Sequence, residues 1–69
     1  MSWQSLDPAI RETLKTRLTQ RQLEVLILWL AGCSYDRIST MLGISVRSVR
    51  THLKRARQIH DTITQEAAA

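Results

Sequence analysis

The sequence contains few of the residues that stabilise small proteins by means other than an apolar core. Its single cysteine, Cys33, cannot form an internal disulfide, and no cluster of cysteine and histidine has the spacing of a zinc site. There is no phenylalanine, one proline and two glycines among the 69 residues. The longest apolar run, VLILWLAGC at residues 25–33, is far shorter than the roughly 20 residues that a membrane-spanning helix needs. These absences predict a fold that rests on hydrophobic packing, with no disulfide scaffold and no membrane span.

Targeting and catalytic patterns are also missing. The start, MSWQSLDPAI, has no basic stretch followed by an apolar run, so we expect no signal peptide and a cytoplasmic, nucleoid-associated protein. No nucleophile–base pair, phosphate-binding loop or carboxylate pair indicates an enzyme. His52 and His60 lie eight residues apart without an acidic cluster, so we expect neither a metal site nor a cofactor. The length predicts a single domain of modest stability, because a chain this short buries only about 60% of its unfolded surface.

What the chain does contain is an uneven distribution of positive charge. The net charge is +4, and residues 45–58 hold five of the ten Lys and Arg residues but none of the six Asp and Glu residues. The five basic residues of this segment are Arg47, Arg50, Lys54, Arg55 and Arg57. Such a segment predicts a surface that binds a polyanion, although a solvated basic helix would have the same composition.

Apolar periodicity and capping residues predict four helices, and no segment alternates as a strand does. The predicted helices span residues 8–16, 20–31, 35–42 and 46–60, with a frayed tail at 64–69. An extension of the fourth helix to Ile63 is the alternative. Each follows a residue that caps helix starts well, namely Asp7, Thr19, Ser34 and Ser45. Thr19 and Gln22 have the spacing of a capping box. The second helix is apolar on most sides, so we expect it to be central.

The third and fourth helices have the pattern of a helix-turn-helix. The three residues GIS (Gly43, Ile44 and Ser45) connect them, and glycine suits a tight turn that needs a positive φ. In the third helix, Ile38, Met41 and Leu42 are expected to face inward. In the fourth, a stripe at helical spacing is expected to face the core, formed by Val46, Val49, Leu53, Ala56 and His60. The sequence therefore predicts an all-α domain with its recognition helix last.

The opposite face of the fourth helix is suited to the DNA major groove. It is centred on Arg47, Thr51, Lys54 and Gln58. Arginine can donate two hydrogen bonds to guanine, and the methyl group of threonine can contact the thymine methyl group. Ser34, Ser45 and the free N–H groups at both helix starts can bind phosphates. Double-stranded DNA is therefore the expected partner.

Two related families resemble this sequence. The stretch LTQRQLEVLILWLAGCSYDRISTMLGISVRSVRTHL resembles the LuxR-type DNA-binding domain, and GCSYDRISTMLGISVRSVRTHLKRAR is similar to region four of sigma factors. The resemblance covers roughly residues 9–60. The residues that match the LuxR-type pattern are Leu18, Thr19, Arg21, Glu24, Val25, Leu26, Gly32, Ser34, Ile38, Leu42, Ile44, Ser45, Val49, His52 and Leu53. The resemblance implies a helix-turn-helix that regulates transcription, of bacterial or phage type.

The resemblance also implies which residues contact DNA. The residues after Ser45 and Val46 would contact bases, here Arg50, Thr51 and Lys54. The helical wheel adds Arg47 and puts Arg50 at the edge of the exposed face. The expected phosphate contacts are Ser34, Tyr35, Arg37, Ser45, Ser48, Arg55 and Arg57.

The sequence departs from these families in three places. LuxR-type domains continue with another helix, often used for dimerisation, whereas only DTITQEAAA follows here. Arg37 stands where the families usually carry Glu, and Ser39 where they usually carry Ala. The short tail favours a sigma-like architecture. A sigma factor needs further domains, so we do not expect a chain of this length to work as one by itself.

A second hypothesis is a protein-interaction module that binds RNA polymerase or another regulator. The expected contact surface is then Trp29 with nearby apolar residues, although the favoured position of Trp29 is in the core. Ile59 and Ile63 are expected either to cover the core or to form a small homodimer contact. On the DNA-binding hypothesis, one module contacts few base pairs, so useful specificity requires a homodimer or a partner already bound to DNA.

Overall fold

The computed structural model describes residues 2–68 and consists of four α-helices after a 3-10 turn at Trp3–Ser5. The helices are α1 (Pro8–Arg17), α2 (Gln20–Leu30), α3 (Tyr35–Leu42) and α4 (Val46–Ala68). No strand occurs in this part of the chain, which confirms the predicted all-α class. None of these helices combines the length and the apolar character needed to cross a membrane.

Each α-helix begins at a cap that the sequence predicts. The Thr19 hydroxyl accepts a hydrogen bond from the Gln22 N–H at 3.2 Å, and the Gln22 side chain accepts one from the Thr19 N–H at 3.1 Å. The remaining caps are Asp7 with the Ala9 N–H at 2.8 Å, Ser34 with the Arg37 N–H at 3.1 Å, and Ser45 with the Ser48 N–H at 3.1 Å. Each such cap stabilises a helix by about 1 kcal/mol, so together they fix where α1 to α4 begin.

The apolar faces of the four helices meet in one core. Its buried side chains are Leu14, Leu18, Val25, Leu26, Ile38, Val49, Leu53, Ala56 and Ile63. Both α2 and α4 pack against each of the other helices. Helix α2 is central as expected, and α4 is equally central. One face of α4 lies in the core and the other is exposed to solvent.

The turn between α3 and α4 is closed by Ser39 as well as by glycine. Gly43 has φ +67°, in the left-handed region that side chains disfavour. The Ile44 N–H donates to the Ser39 carbonyl at 3.2 Å, and the Ser39 hydroxyl donates back to the Ile44 carbonyl. An alanine at residue 39 could make only the first of these bonds. Ser39 thus adds a side-chain hydrogen bond to the turn between α3 and α4.

The expected end of the fourth helix near residue 60 is wrong, and so is the frayed tail over residues 64–68. Helix α4 continues to Ala68, while residue 69 lies outside the described residues. Ile63 is only 6% exposed and extends the apolar stripe of α4 into the core. Glu66 lies 3.7 Å from Arg17 of α1. These contacts with the rest of the domain stabilise the last turns of α4, which the polar and alanine-rich sequence alone would leave frayed.

The expected inward position of Met41 is also wrong. Met41 is 54% exposed, whereas Ile38 of the same helix is fully buried. Met41 is rotated about 60° from Ile38 around the helix, towards the side of α3 where an open groove separates it from α2. It lines an open apolar groove between α2 and α3, together with Ile27 and Leu28.

Gly43→Ala tests the left-handed turn. No heavy atom lies within 4 Å of the position that a Cβ atom would occupy, so the penalty comes from the backbone alone. We expect the free energy of unfolding in urea to fall by about 1–2 kcal/mol. Gly43→Asn should lose less, because asparagine adopts the left-handed conformation more readily. Equal losses for the two variants would contradict this explanation of the glycine.

Ile63→Ala tests whether the last turns of α4 belong to the core. We expect a loss of about 2–3 kcal/mol in the free energy of unfolding, because a buried isoleucine leaves a cavity when truncated. The control is Thr64→Ala, an exposed neighbour that should stay within about 0.5 kcal/mol of the wild type. If both variants unfold at the wild-type urea midpoint, Ile63 does not contribute to the core.

Candidate nucleic-acid interface

The rotation of α4 is set by its buried stripe. Val49 and Ala56 are fully buried and Leu53 is 2% exposed. Because these residues lie on one side of the helix, Arg47, Thr51 and Lys54 project from the opposite side and are exposed. The Thr51 hydroxyl donates to the Arg47 carbonyl at 3.1 Å, which leaves its methyl group for outside contacts. This outward face carries two charged donors and one small apolar group, a set that can contact base edges.

The positive charges of α4 are not neutralised within the domain. In the described part of the chain, no carboxylate lies within 4.0 Å of Arg47, Arg50, Lys54, Arg55 or Arg57. The ion pairs present there lie elsewhere and join Lys15 to Glu12, Arg17 to Glu66, Arg21 to Glu24, and His60 to Asp61. The five cations are therefore free to attract an external polyanion.

The starts of α3 and α4 supply further groups for an anion. Ser34 and Arg37 are exposed at the start of α3, and Ser45 is exposed at the start of α4. The Ser45 and Ser48 hydroxyls lie 3.0 Å apart and share a hydrogen bond. Backbone N–H groups in the first turn of a helix lack intrahelical partners and carry partial positive charge. Both helix starts thus add polar donors to the cationic surface of α4.

Two arginines of α4 lie against aromatic rings instead of facing straight outward. The Arg50 guanidinium carbon is 5.8 Å from the centroid of the Tyr35 ring, and that of Arg57 is 4.9 Å from the Trp29 ring. Arg50 and Arg57 are seven residues apart, so they lie on the same edge of α4 two turns apart. Arg50 therefore lies at the edge of the exposed face, as the helical wheel predicts.

An open pocket of about 190 Å³ lies along this edge of α4. Its lining residues are Tyr35, Arg50, Leu53, Lys54, Arg57 and Asp61. Three cationic side chains surround it, with one carboxylate among them. The sequence does not indicate this pocket, because it forms only where α3 begins beside the middle of α4. The seven-residue spacing of Arg50 and Arg57 is the signal that could have indicated a shared edge.

The residues expected to form a partner surface have different positions. Ile63 is buried in the core, so its side chain forms no free surface in this structure. Ile59 is half-buried and packs against the core. Trp29 is half-buried, and the Arg57 guanidinium lies over its ring. Among the described residues, the large apolar side chain that is exposed is instead Met41, which was expected to face inward.

Comparison with known proteins identifies a family that matches this chain. The family model described as Sigma-70, region 4 matches residues 12–59, which is more than half of the chain, from within α1 to within α4. No curated protein and no solved structure matches the chain significantly. The predicted resemblance to sigma region four is thereby confirmed. Region 4 domains are non-enzymatic helix-turn-helix domains that bind DNA and RNA polymerase. The chain therefore belongs to the sigma-70 region 4 family.

Proposed function

We propose that this chain is a sequence-specific DNA-binding regulator of transcription whose helix α4 enters the major groove. The observation that carries the proposal is the unneutralised charge of α4, where five cations stand on a helix whose rotation the core fixes. The family supports the same conclusion at a coarser level, because region 4 domains bind DNA. Such a protein would act in the cytoplasm, at the nucleoid.

The residues divide into those that contact bases and those that contact the backbone. Arg47, Thr51 and Lys54 lie on the outward face and are proposed to contact base edges. Arg50 shares the first turns of α4 with them and was predicted from the sequence to do the same. The proposed phosphate contacts are Ser34, Tyr35, Arg37, Ser45, Ser48, Arg55 and Arg57. Phosphate contacts orient the domain on the duplex, whereas base contacts select the sequence.

One helix-turn-helix contacts too few base pairs for high specificity by itself. Two arrangements would extend the site. In a homodimer, two copies of α4 would bind half-sites related by two-fold symmetry, as expected if the LuxR-type resemblance holds. In a sigma-like arrangement, one copy would bind a single short element beside RNA polymerase. The symmetry of the preferred DNA site distinguishes the two arrangements.

Selection of binding sites from a random duplex pool at near-physiological salt tests sequence recognition. We expect an enriched motif. Arg47→Ala or Lys54→Ala should weaken binding to it by about 1–3 kcal/mol and relax the preference at one base position. The control is Lys15→Ala, which removes the same charge from α1 and should change binding little. A pool without enrichment would contradict the proposal. An equal loss of affinity for Lys15→Ala would mean that the chain binds DNA only through non-specific charge attraction.

A second candidate function is binding to RNA polymerase or another regulator without sequence recognition. The family supports it, because region 4 domains also bind RNA polymerase. The open apolar groove of Ile27, Leu28 and Met41 is an observation in its favour. The double variant Arg50→Ala/Lys54→Ala separates the two functions in pull-down and DNA-binding measurements. If DNA recognition is the function, the double variant should lose DNA binding. If polymerase binding is the function, the double variant should still be retained by polymerase in the pull-down.

A further inference from the structure

We infer that the pocket between the start of α3 and the middle of α4 binds one phosphate of the DNA backbone, and that the Tyr35 ring positions Arg50 in it. The inference rests on the proposed function and deepens it. It changes the role of Arg50, which becomes a phosphate-binding residue instead of a base-contacting one. It also gives Tyr35 a role through the face of its ring instead of through its hydroxyl.

The position of Arg50 supports this assignment. Its guanidinium lies 5.8 Å from the centre of the Tyr35 ring, on the flank of α4 that faces α3. Arg47 and Thr51, by contrast, project from the side opposite the core. A side chain held back against α3 is directed towards the wall of the groove, where the phosphates lie, while the outward face is directed towards its floor.

Contact with a ring leaves the arginine able to bind a phosphate. The cation–π interaction is an electrostatic attraction to the ring and does not require every guanidinium N–H group, so the remaining N–H groups can donate elsewhere. Those N–H groups can donate two parallel hydrogen bonds to phosphate oxygens. The ring also restricts the rotamers of Arg50 before DNA arrives, so less conformational entropy is lost on binding.

The charges around the pocket indicate which end holds the phosphate. Along α4 the lining residues follow in the order Arg50, Lys54, Arg57 and Asp61. Lys54 is about 6 Å further along the helix axis than Arg50, whereas Asp61 is about 16 Å further. The carboxylate therefore repels an anion from the far end, while Arg50 and Lys54 attract it at the near end. Arg57, over the Trp29 ring, lies between the two ends.

The first test is a double-variant cycle on Tyr35 and Arg50, with binding measured on the selected duplex over a range of salt concentrations. Arg50→Ala should weaken binding to all sequences alike, reduce the magnitude of the negative slope of log K against log salt by about 0.9, and leave the base preferences unchanged. Tyr35→Leu should weaken binding about two- to fivefold, the size of an exposed cation–π contact. Tyr35→Phe keeps the ring and should bind like the wild type. In the Arg50→Ala background, Tyr35→Leu should have no further effect.

The second test is a gain of affinity, which a misfolded variant cannot produce. Asp61→Asn removes the repelling carboxylate and should tighten DNA binding roughly two- to fivefold, the effect of a typical exposed charge pair. The matched control is Glu12→Gln on α1, which removes the same charge outside the pocket. It should tighten binding less than Asp61→Asn does. Equal gains would mean that only net charge matters, which overturns the phosphate site.

The outcomes separate this inference from the proposed function. If the wild type enriches no motif, the proposed function fails before the cycle begins. If a motif is enriched and Arg50→Ala relaxes one base position without reducing the magnitude of the salt slope, Arg50 contacts a base and only the inference fails. A loss for Tyr35→Phe as large as that for Tyr35→Leu would assign the contact to the hydroxyl and overturn the role of the ring.

Discussion

The burial of one side of α4 is the constraint on which the rest of the structure depends. Val49, Leu53 and Ala56 lie in the core, and they leave α4 no freedom to rotate about its own axis. The exposed cations therefore have fixed directions relative to α3. A helix with the same cations but a weaker apolar stripe would attract DNA equally well and would present no defined face to it. The buried side of the helix thus sets the directions in which its exposed side chains project.

The two ends of α4 are held by different means. At its start, Gly43 and Ser39 close a turn whose geometry depends on a positive φ and on two hydrogen bonds with Ile44. Towards its end, Ile63 enters the core and Glu66 lies beside Arg17 of α1. The buried hydrophobic contact contributes most of the stability there, because an exposed ion pair is worth little. Local backbone chemistry fixes the start, and tertiary packing fixes the end.

The sequence predicted whatever depends on local chemistry. The caps at Thr19 and Ser45 and the glycine turn follow from residue type and spacing, so the helix starts agree with the structure. The outward position of Arg47 follows from helical periodicity in the same way. Features that need two elements to meet were missed. The sequence left open whether Ile63 covers the core or forms a dimer contact, because it does not show that α1 packs beside the end of α4. The contact of Tyr35 with Arg50 likewise depends on how α3 crosses α4.

The continuity of α4 from Val46 to Ala68 has a mechanical consequence. The helix is one rod of about 34 Å, with its DNA-facing turns at one end and α1 attached near the other. If it pivots on the buried side chains in its middle, a tilt of about 10° displaces Arg47 by about 2 Å. A displacement of that size exceeds the tolerance of a hydrogen bond to a base edge. Under the proposed function, substitutions on α1 would therefore change which DNA sequence is preferred, by tilting α4 and without any contact between α1 and DNA.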